Sequence, residues 1–252
     1  MIPAQRRQMI LKILEDQGVI SISELVERLD VSHMTVRRDL QNLEKEGLVV
    51  TVTGGVQLTR RLTTEPSHQI KETLCAEEKA RIGKEACKYI SDNSCIYLDA
   101  GTTSLALAQN LDAFHNLTIA SNDFEVINYL LPHTRHTLIH AGGVVQKENR
   151  SSVGHLAANT LLSLSFDVAF LSAPSFDIRG VTTPDQNKVV VKQAAVKSSQ
   201  KRILISDSSK YGHVATYLAV KTEDLDLIIT DTGLSEVALE NFQKASVNVV
   251  TV

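Results

Sequence analysis

Apolar residues first recur at helical spacing between Pro3 and Gln17, where Met9, Ile10, Leu11 and Leu14 fall together and Gly18 stands as the stop. Ser21 to Ser23 reads as a short extended stretch, with Ser23 capping a brief helix, Glu24 to Leu29, whose Leu25, Val26 and Leu29 share a face. A tight connection at Asp30 and Val31 follows. Ser32 then caps a third helix that runs to Glu46 and stops at Gly47, and LVVTVTGGVQL reads as two strands around a Gly54-Gly55 turn. Three helices and a hairpin within residues 1–58 predict a winged helix-turn-helix.

From Thr59 the chain reads TRRLTTEPSHQIKETL, polar and broken by Pro66, which places a linker at 59–74. Beyond it the pattern changes. Helices are expected at 75–91, 103–111, 123–131, 155–164, 185–199 and 235–245, alternating with apolar runs such as CIYLDA, LTIAS, HTLIHA, DVAFLSA, RILISD, TYLAV, LIIT and VNVVTV. Strands alternating with helices imply an α/β domain over 75–252 with a mostly parallel sheet covered on both faces.

The 43% apolar content is ample for a packed core. No apolar run is long enough for a membrane span, and Gln8 and Lys12 interrupt the opening MIPAQRRQMILKIL, so a cytoplasmic protein is expected. Cys75, Cys87 and Cys95 are odd in number and widely spaced, which predicts reduced, mostly buried thiols and no cysteine metal site. The net charge of −3 divides unevenly: residues 1–61 hold nine Lys/Arg and eight Asp/Glu, leaving 17 and 21 for the rest. So weak a basic balance does not by itself point to nucleic acid, and position must decide.

At 100° per residue Val36, Leu40 and Leu43 share the core face of the third helix. Met34, Arg37, Arg38, Gln41 and Lys45 lie opposite, with Asp39 and Glu44 on the flanks. An isolated RRD triplet would be a solvated surface. Here the arginines occupy the only face the core leaves free, on a helix preceded by a short helix and tight turn and followed by a wing. A recognition helix presents such residues to the major groove, where one arginine reads a guanine and a neighbour 100° away holds phosphate. With the cap and first turn, Ser32, His33 and Thr35, these residues form the expected DNA-binding set.

In the second domain, DAGTT, TIASND and HAGGVV are small polar turns after successive strands, and such turns converge at the carboxyl ends of parallel strands. LISDSSKYG adds Asp207 and Lys210 at the same rim, a lysine being a natural partner for phosphate.

VSHMTVRRDLQNLEKEGLVVTVTGGV resembles the DeoR/GlpR class of bacterial repressors. EEKARIGKEA, LDAGTT, ASND, AGGVV, SSVG, GVTTPD and SDSSKYG extend the resemblance over nearly the whole chain. It implies a sensor fold similar to ribose-phosphate isomerase, double-stranded operator DNA and a phosphorylated sugar as ligands. It also implies an effector pocket of Asp99, Gly101, Thr102, Thr103, Ser121, Asn122, Gly142, Gly143 and Lys210. Relatives often carry Arg and His where this wing has Thr51 and Thr53, so a weaker grip on phosphate is expected. They carry glycines where this chain has SAPSFD, and a glutamate where it has Asn187-Lys188, which implies a stiffer loop and a less acidic pocket. No cofactor, metal or catalytic group is expected, and the weakly basic DNA-binding half calls for a homodimer or homotetramer on paired half-sites. The rival reading is an isomerase with Asp99, Asp185 or Asp207 as base. His133, His136 and His140 have a spacing that would place two imidazoles on one strand face, with nothing nearby to complete a metal site.

Overall fold

The computed structural model describes residues 2–52 and 54–252. Its first unit comprises α1 (Pro3–Gln17), β1 (Val19–Ile20), α2 (Ile22–Leu29), α3 (His33–Lys45), β2 (Val49–Val52) and β3 (Gly55–Leu58). The strands lie antiparallel in the order β1-β3-β2. Ile10, Leu14, Leu25, Leu29, Val36, Leu40 and Leu43 close one core with Ile20, Val49 and Val56. Ser32 caps α3, its Oγ accepting the Thr35 N–H at 3.2 Å. The cap of α2 is Ser21 rather than Ser23, accepting the Glu24 N–H at 3.1 Å. The reason is that extended chain is needed only at Val19 and Ile20, which pair with β3, so the helix begins two residues early. Thr53 lies outside the described residues.

The stretch 59–74 carries regular structure, in contrast to the linker expected there: β4 (Arg60–Leu62) and α4 (His68–Thr73). Three residues, two exposed and one half-buried, give no sequence period, and β4 exists because β14 (His213–Ala215) offers it a parallel partner. Ser67 caps α4 through the Ile70 N–H, and His68 and Lys71 are buried.

The remainder alternates α5 (Ala76–Ala86), β5 (Cys95–Leu98), α6 (Thr102–Ala108), β6 (Thr118–Ser121), α7 (Phe124–His133), β7 (Thr137–His140), the hairpin β8 (Val144–Gln146) and β9 (Ser151–Val153), and α8 (His155–Leu162). It continues with β10 (Phe166–Leu171), β11 (Ser175–Asp177), β12 (Gly180–Thr183), α9 (Gln186–Lys197), β13 (Ser199–Ile205), β14, β15 (Tyr217–Lys221), β16 (Leu227–Thr230), α10 (Glu236–Lys244) and β17 (Asn248–Thr251). Seven strands form one parallel sheet in the order β17-β16-β13-β10-β5-β6-β7. Ile82, Leu107, Val126 and Leu130 cover one face of it. Ala157, Leu161, Val191, Ala195 and Phe242 cover the other. TYLAV is not part of this sheet, because β15 pairs antiparallel with β12 in a small second sheet with β11. The chain winds outward from β5 through β6 to β7, then returns to lay β10 on the opposite side of β5. The sheet therefore reverses its winding between β5 and β10, and a crevice opens at their carboxyl ends.

The first unit packs on this domain. Val50 of β2 is buried in the larger domain's core, seated over Gly212, where an added Cβ would lie 2.6 Å from the valine Cγ1. No helix among the described residues is long and apolar enough to cross a membrane.

Candidate functional site: a lysine-lined crevice and an exposed helix face

At the winding reversal, Asp99 directly follows β5 and Ser172 directly follows β10. Asp99 is buried; its Oδ2 accepts the Ser172 N–H at 3.1 Å and pairs with the Lys192 ammonium, while its Oδ1 lies 3.2 Å from the Tyr97 hydroxyl. Lys192 also donates to the Ser172 carbonyl at 2.6 Å. Asn122 accepts the Tyr97 hydroxyl (2.8 Å) and donates to the Ser152 carbonyl (2.8 Å), so both of its ends are fixed. The Gly101 N–H is not free for a ligand: it donates to Asp123 at 2.9 Å. Burial pushes the Asp123 carboxyl up to about 6, against the lowering effect of the N–H groups of Val126, Glu125 and Gly101.

Of the residues the sequence assigns to the pocket, Asp99, Gly101, Thr102, Thr103, Asn122 and Lys210 line one cavity together with Asp207. Ser121, Gly142 and Gly143 do not. Ser121 turns its Oγ to the Asp123 N–H (3.0 Å). Gly143 serves packing, since an added Cβ would stand 2.6 Å from the Val153 carbonyl oxygen. The third turn is displaced because β7 is an edge strand, two strands from the reversal.

Five lysines line the cavity, Lys71, Lys79, Lys188, Lys192 and Lys210, against Glu65, Asp99 and Asp207. Only Lys210 of the five belongs to the set read from sequence. Lys188 and Lys192 stand four apart on α9 with no acidic residue between them, a signal available in the sequence. Glu65 adds a third carboxylate to the cavity beside Asp99 and Asp207, so the cavity is less depleted of acid than the resemblance implied. It comes from the stretch read as linker and pairs with both Lys71 and Lys188. Burial opposes its charge, but the two ammoniums prevail and hold its carboxyl down at about 2. Burial pulls the Lys71 and Lys79 ammoniums below the usual lysine range. The enclosed space is about 40 Å³, room for a few water molecules.

On the other unit, Met34, Arg37 and Arg38 are exposed, as are Ser32, His33 and Lys45, with Thr35 and Gln41 half-buried. The ion pairs of this unit use Arg6 with Asp39, Arg7 with Glu46 and Arg28 with Glu24, which leaves the two central arginines to solvent. Asp39 and Glu44 are not flanking surface charges but buried. Glu44 faces the larger domain, accepting the Tyr211 hydroxyl at 3.2 Å, the Asn241 amide at 2.5 Å and the Thr51 N–H at 3.2 Å. Burial raises its pKa, partly offset by these donors. Thr51 is buried as well, its carbonyl accepting the Ser235 hydroxyl at 2.9 Å, so it is an interdomain residue. Met34, Arg37, Arg38 and Gln41 share a crevice with Val237, Glu240 and Lys244 of α10.

The histidines of the strand entrance are dispersed: His133 stacks on Tyr129, His136 meets the Leu111 carbonyl and His140 lies beside Phe124. All three cysteines are free and half-buried, more exposed than expected.

Two families match this chain. The DeoR-like helix-turn-helix domain matches residues 6–61, and the DeoR C terminal sensor domain matches residues 74–232. The chain belongs to the DeoR family. Its relatives include the "Uncharacterized HTH-type transcriptional regulator YgbI" of Escherichia coli K12, 52% identical over 94% of this chain and 93% of that protein. The "Putative aga operon transcriptional repressor" of Escherichia coli O157:H7 is 30% identical over 99% and 94% of the two chains. The "Lactose phosphotransferase system repressor" of Lactococcus lactis is 31% identical over 95% of each. Solved structures with a similar fold include ribose 5-phosphate isomerase A from Methanocaldococcus jannaschii, with TM-score 0.40 and 15% identity over 54% of this chain and 55% of that one.

Proposed function

We propose that the protein is a repressor of a carbohydrate-metabolism operon, binding operator DNA through residues 1–58 and modulated by a phosphorylated sugar in the crevice of residues 75–252. Residues 59–74 connect the two. The observation that carries this reading is the adjacency of Lys210, on the crevice wall, to Tyr211, whose hydroxyl holds Glu44 of α3. An effector that favours one arrangement of this turn changes DNA affinity by linkage, in proportion to its preference between the two states. The names of the aga and lactose relatives support the carbohydrate class, and an excess of lysines over carboxylates supports an anionic ligand.

In this reading Arg37 and Arg38 divide base and phosphate contacts between them, with Ser32, His33, Met34, Thr35, Gln41 and Lys45 around them. A domain with so small a basic excess needs paired half-sites, hence at least a homodimer. Two of the three candidate bases, Asp99 and Asp185, favour binding without turnover. Asp99 is committed to Lys192 and Ser172, and Asp185 caps α9 through the Asn187 N–H at 2.9 Å, outside the cavity.

The test is selection of genomic fragments by the purified protein, followed by titration of the selected site with phosphorylated sugars and their unphosphorylated counterparts. One phosphorylated compound is expected to change operator affinity by about fivefold or more, with its parent sugar inert. No fragment retained above background, or no phosphorylated compound that alters affinity, refutes the reading.

A further inference from the structure

The crevice already holds an anion of its own. Glu65 lies between β4 and α4, and its two carboxylate oxygens are shared out, one to Lys71 of α4 and the other to Lys188 of α9. The three side chains are only 9%, 10% and 11% exposed, and Lys71 is further anchored on Oδ1 of the Asn149 side chain at 2.8 Å. Two buried ammoniums converging on one oxyanion group make a geometry that suits phosphate as well as carboxylate. The charge balance favours phosphate: with Glu65 gone the two lysines carry +2, which a phosphate dianion neutralises and a single carboxylate only halves. With Glu65 in place both ammoniums are already occupied, one by each carboxylate oxygen, so a phosphate can take the two lysines only if Glu65 leaves.

We propose that Lys71 and Lys188 form the phosphate subsite of this crevice, that Glu65 occupies it in the unliganded protein, and that the effector binds by displacing Glu65. This rests on the reading of the crevice as a sugar-phosphate site and assigns the end of it that takes the phosphate. It also supplies a direction of travel. Glu65 follows β4 by three residues, and β4 is tied at one side to β14, just beyond Tyr211. The preceding Thr59 donates its N–H to the Leu48 carbonyl, at the junction of α3 and β2, at 3.0 Å. Release of Glu65 frees a strand fastened to both the recognition-helix end and the Tyr211 turn. The ligand prefers the released state because only that state offers it the two lysines.

The experiment is calorimetric titration of inorganic phosphate into the full-length protein, comparing wild type, Glu65→Gln and the double variant Glu65→Gln/Lys188→Gln. Phosphate is expected to bind Glu65→Gln about tenfold or more tighter than wild type, and the gain is expected to vanish in the double variant. Equal affinity in wild type and Glu65→Gln overturns the displacement, and so does binding that survives loss of Lys188. Because Glu65→Gln leaves two buried lysines short of a counter-charge, hydrogen exchange on the wild-type protein provides an independent measurement. Saturating phosphate is expected to speed exchange over residues 60–67, opposite to the usual protection by a ligand; unchanged or slower exchange there overturns the proposal. The broader reading fails separately, if sugar phosphates leave operator binding unchanged while phosphate still competes with Glu65.

Discussion

Replacing Tyr211 by Phe removes one oxygen atom from the junction between the two units and leaves its packing intact. The ring stays edge-on to Phe176 and Phe242, at centroid separations of 5.5 and 5.8 Å, because neither contact uses the hydroxyl. What is lost is a hydrogen bond from a buried phenol to the buried carboxylate of Glu44. Bonds to charged groups contribute about 1.5–3 kcal/mol. Glu44 keeps the Asn241 amide and the Thr51 N–H, so the lower half of that range applies, roughly 1.5–2 kcal/mol. For a chain of this size that corresponds to a fall in Tm of about 3–8 °C. The assay is urea and thermal unfolding followed by circular dichroism at several pH values. The pH dependence has a definite sign. The folded pKa of Glu44 is already raised by burial, and loss of a donor to its charged form raises it further. The penalty is therefore complete where Glu44 is ionised in both proteins, and shrinks as falling pH protonates the carboxyl first in the variant and then in wild type. A loss below about 0.5 kcal/mol, or a loss that is the same at pH 8 and pH 5, would refute the argument that this hydroxyl stabilises a buried charge.

Arg37→Ala or Arg38→Ala is expected to cost about 1–3 kcal/mol in operator binding with relaxed choice at one position if the side chain reads a base; a phosphate contact instead weakens all sequences alike and lowers the salt slope. Titration against base-substituted operators at two salt concentrations separates these, and no loss from either variant removes α3 as the reading helix. Lys192→Met strands the buried Asp99 charge and is expected to destabilise by roughly 3–5 kcal/mol, most of it recovered in Lys192→Met/Asp99→Asn; additive single effects in chemical unfolding would contradict the pairing. His68 is 1% exposed and neither ring nitrogen finds a protein partner, so burial holds its pKa below the usual histidine range. Its folded pKa is depressed, so the neutral ring's contribution is present above the unfolded value near 6.5 and is lost as pH falls below it. His68→Leu is expected to reduce that acid sensitivity in unfolding curves between pH 7.5 and 5.5, and an unchanged slope would count against it.

The parts of this molecule that were legible in the sequence are those whose chemistry is local. Ser32 caps α3 and Val36, Leu40 and Leu43 bury one side of it, so the exposed side, with Arg37 and Arg38, follows from periodicity alone. The Asp99-Gly101 and Asp207-Lys210 turns border one cavity because polar turns after parallel strands gather at one end of the sheet. Gly142 and Gly143 carried the same local signal but do not line that cavity. Turn chemistry says that a strand has ended but not where the strand lies in the sheet, and β7 lies at an edge. Charges were harder to read. Glu44 has the spacing of a solvated helix residue, and only the arrival of Tyr211 and Asn241, 167 and 197 residues later, buries it. Glu65 stands beside Pro66 in a polar run that reads as linker, and its meaning comes from Lys188, 123 residues away. A buried charge is tolerated only where opposite charges and donors converge on it, and convergence is a property of topology that no window of the chain contains. The buried carboxylates of Glu44 and Glu65 were therefore the residues least visible beforehand. They also help to join α3 and the connecting segment to the larger domain, which is why the contact between the two units had to be read from the fold.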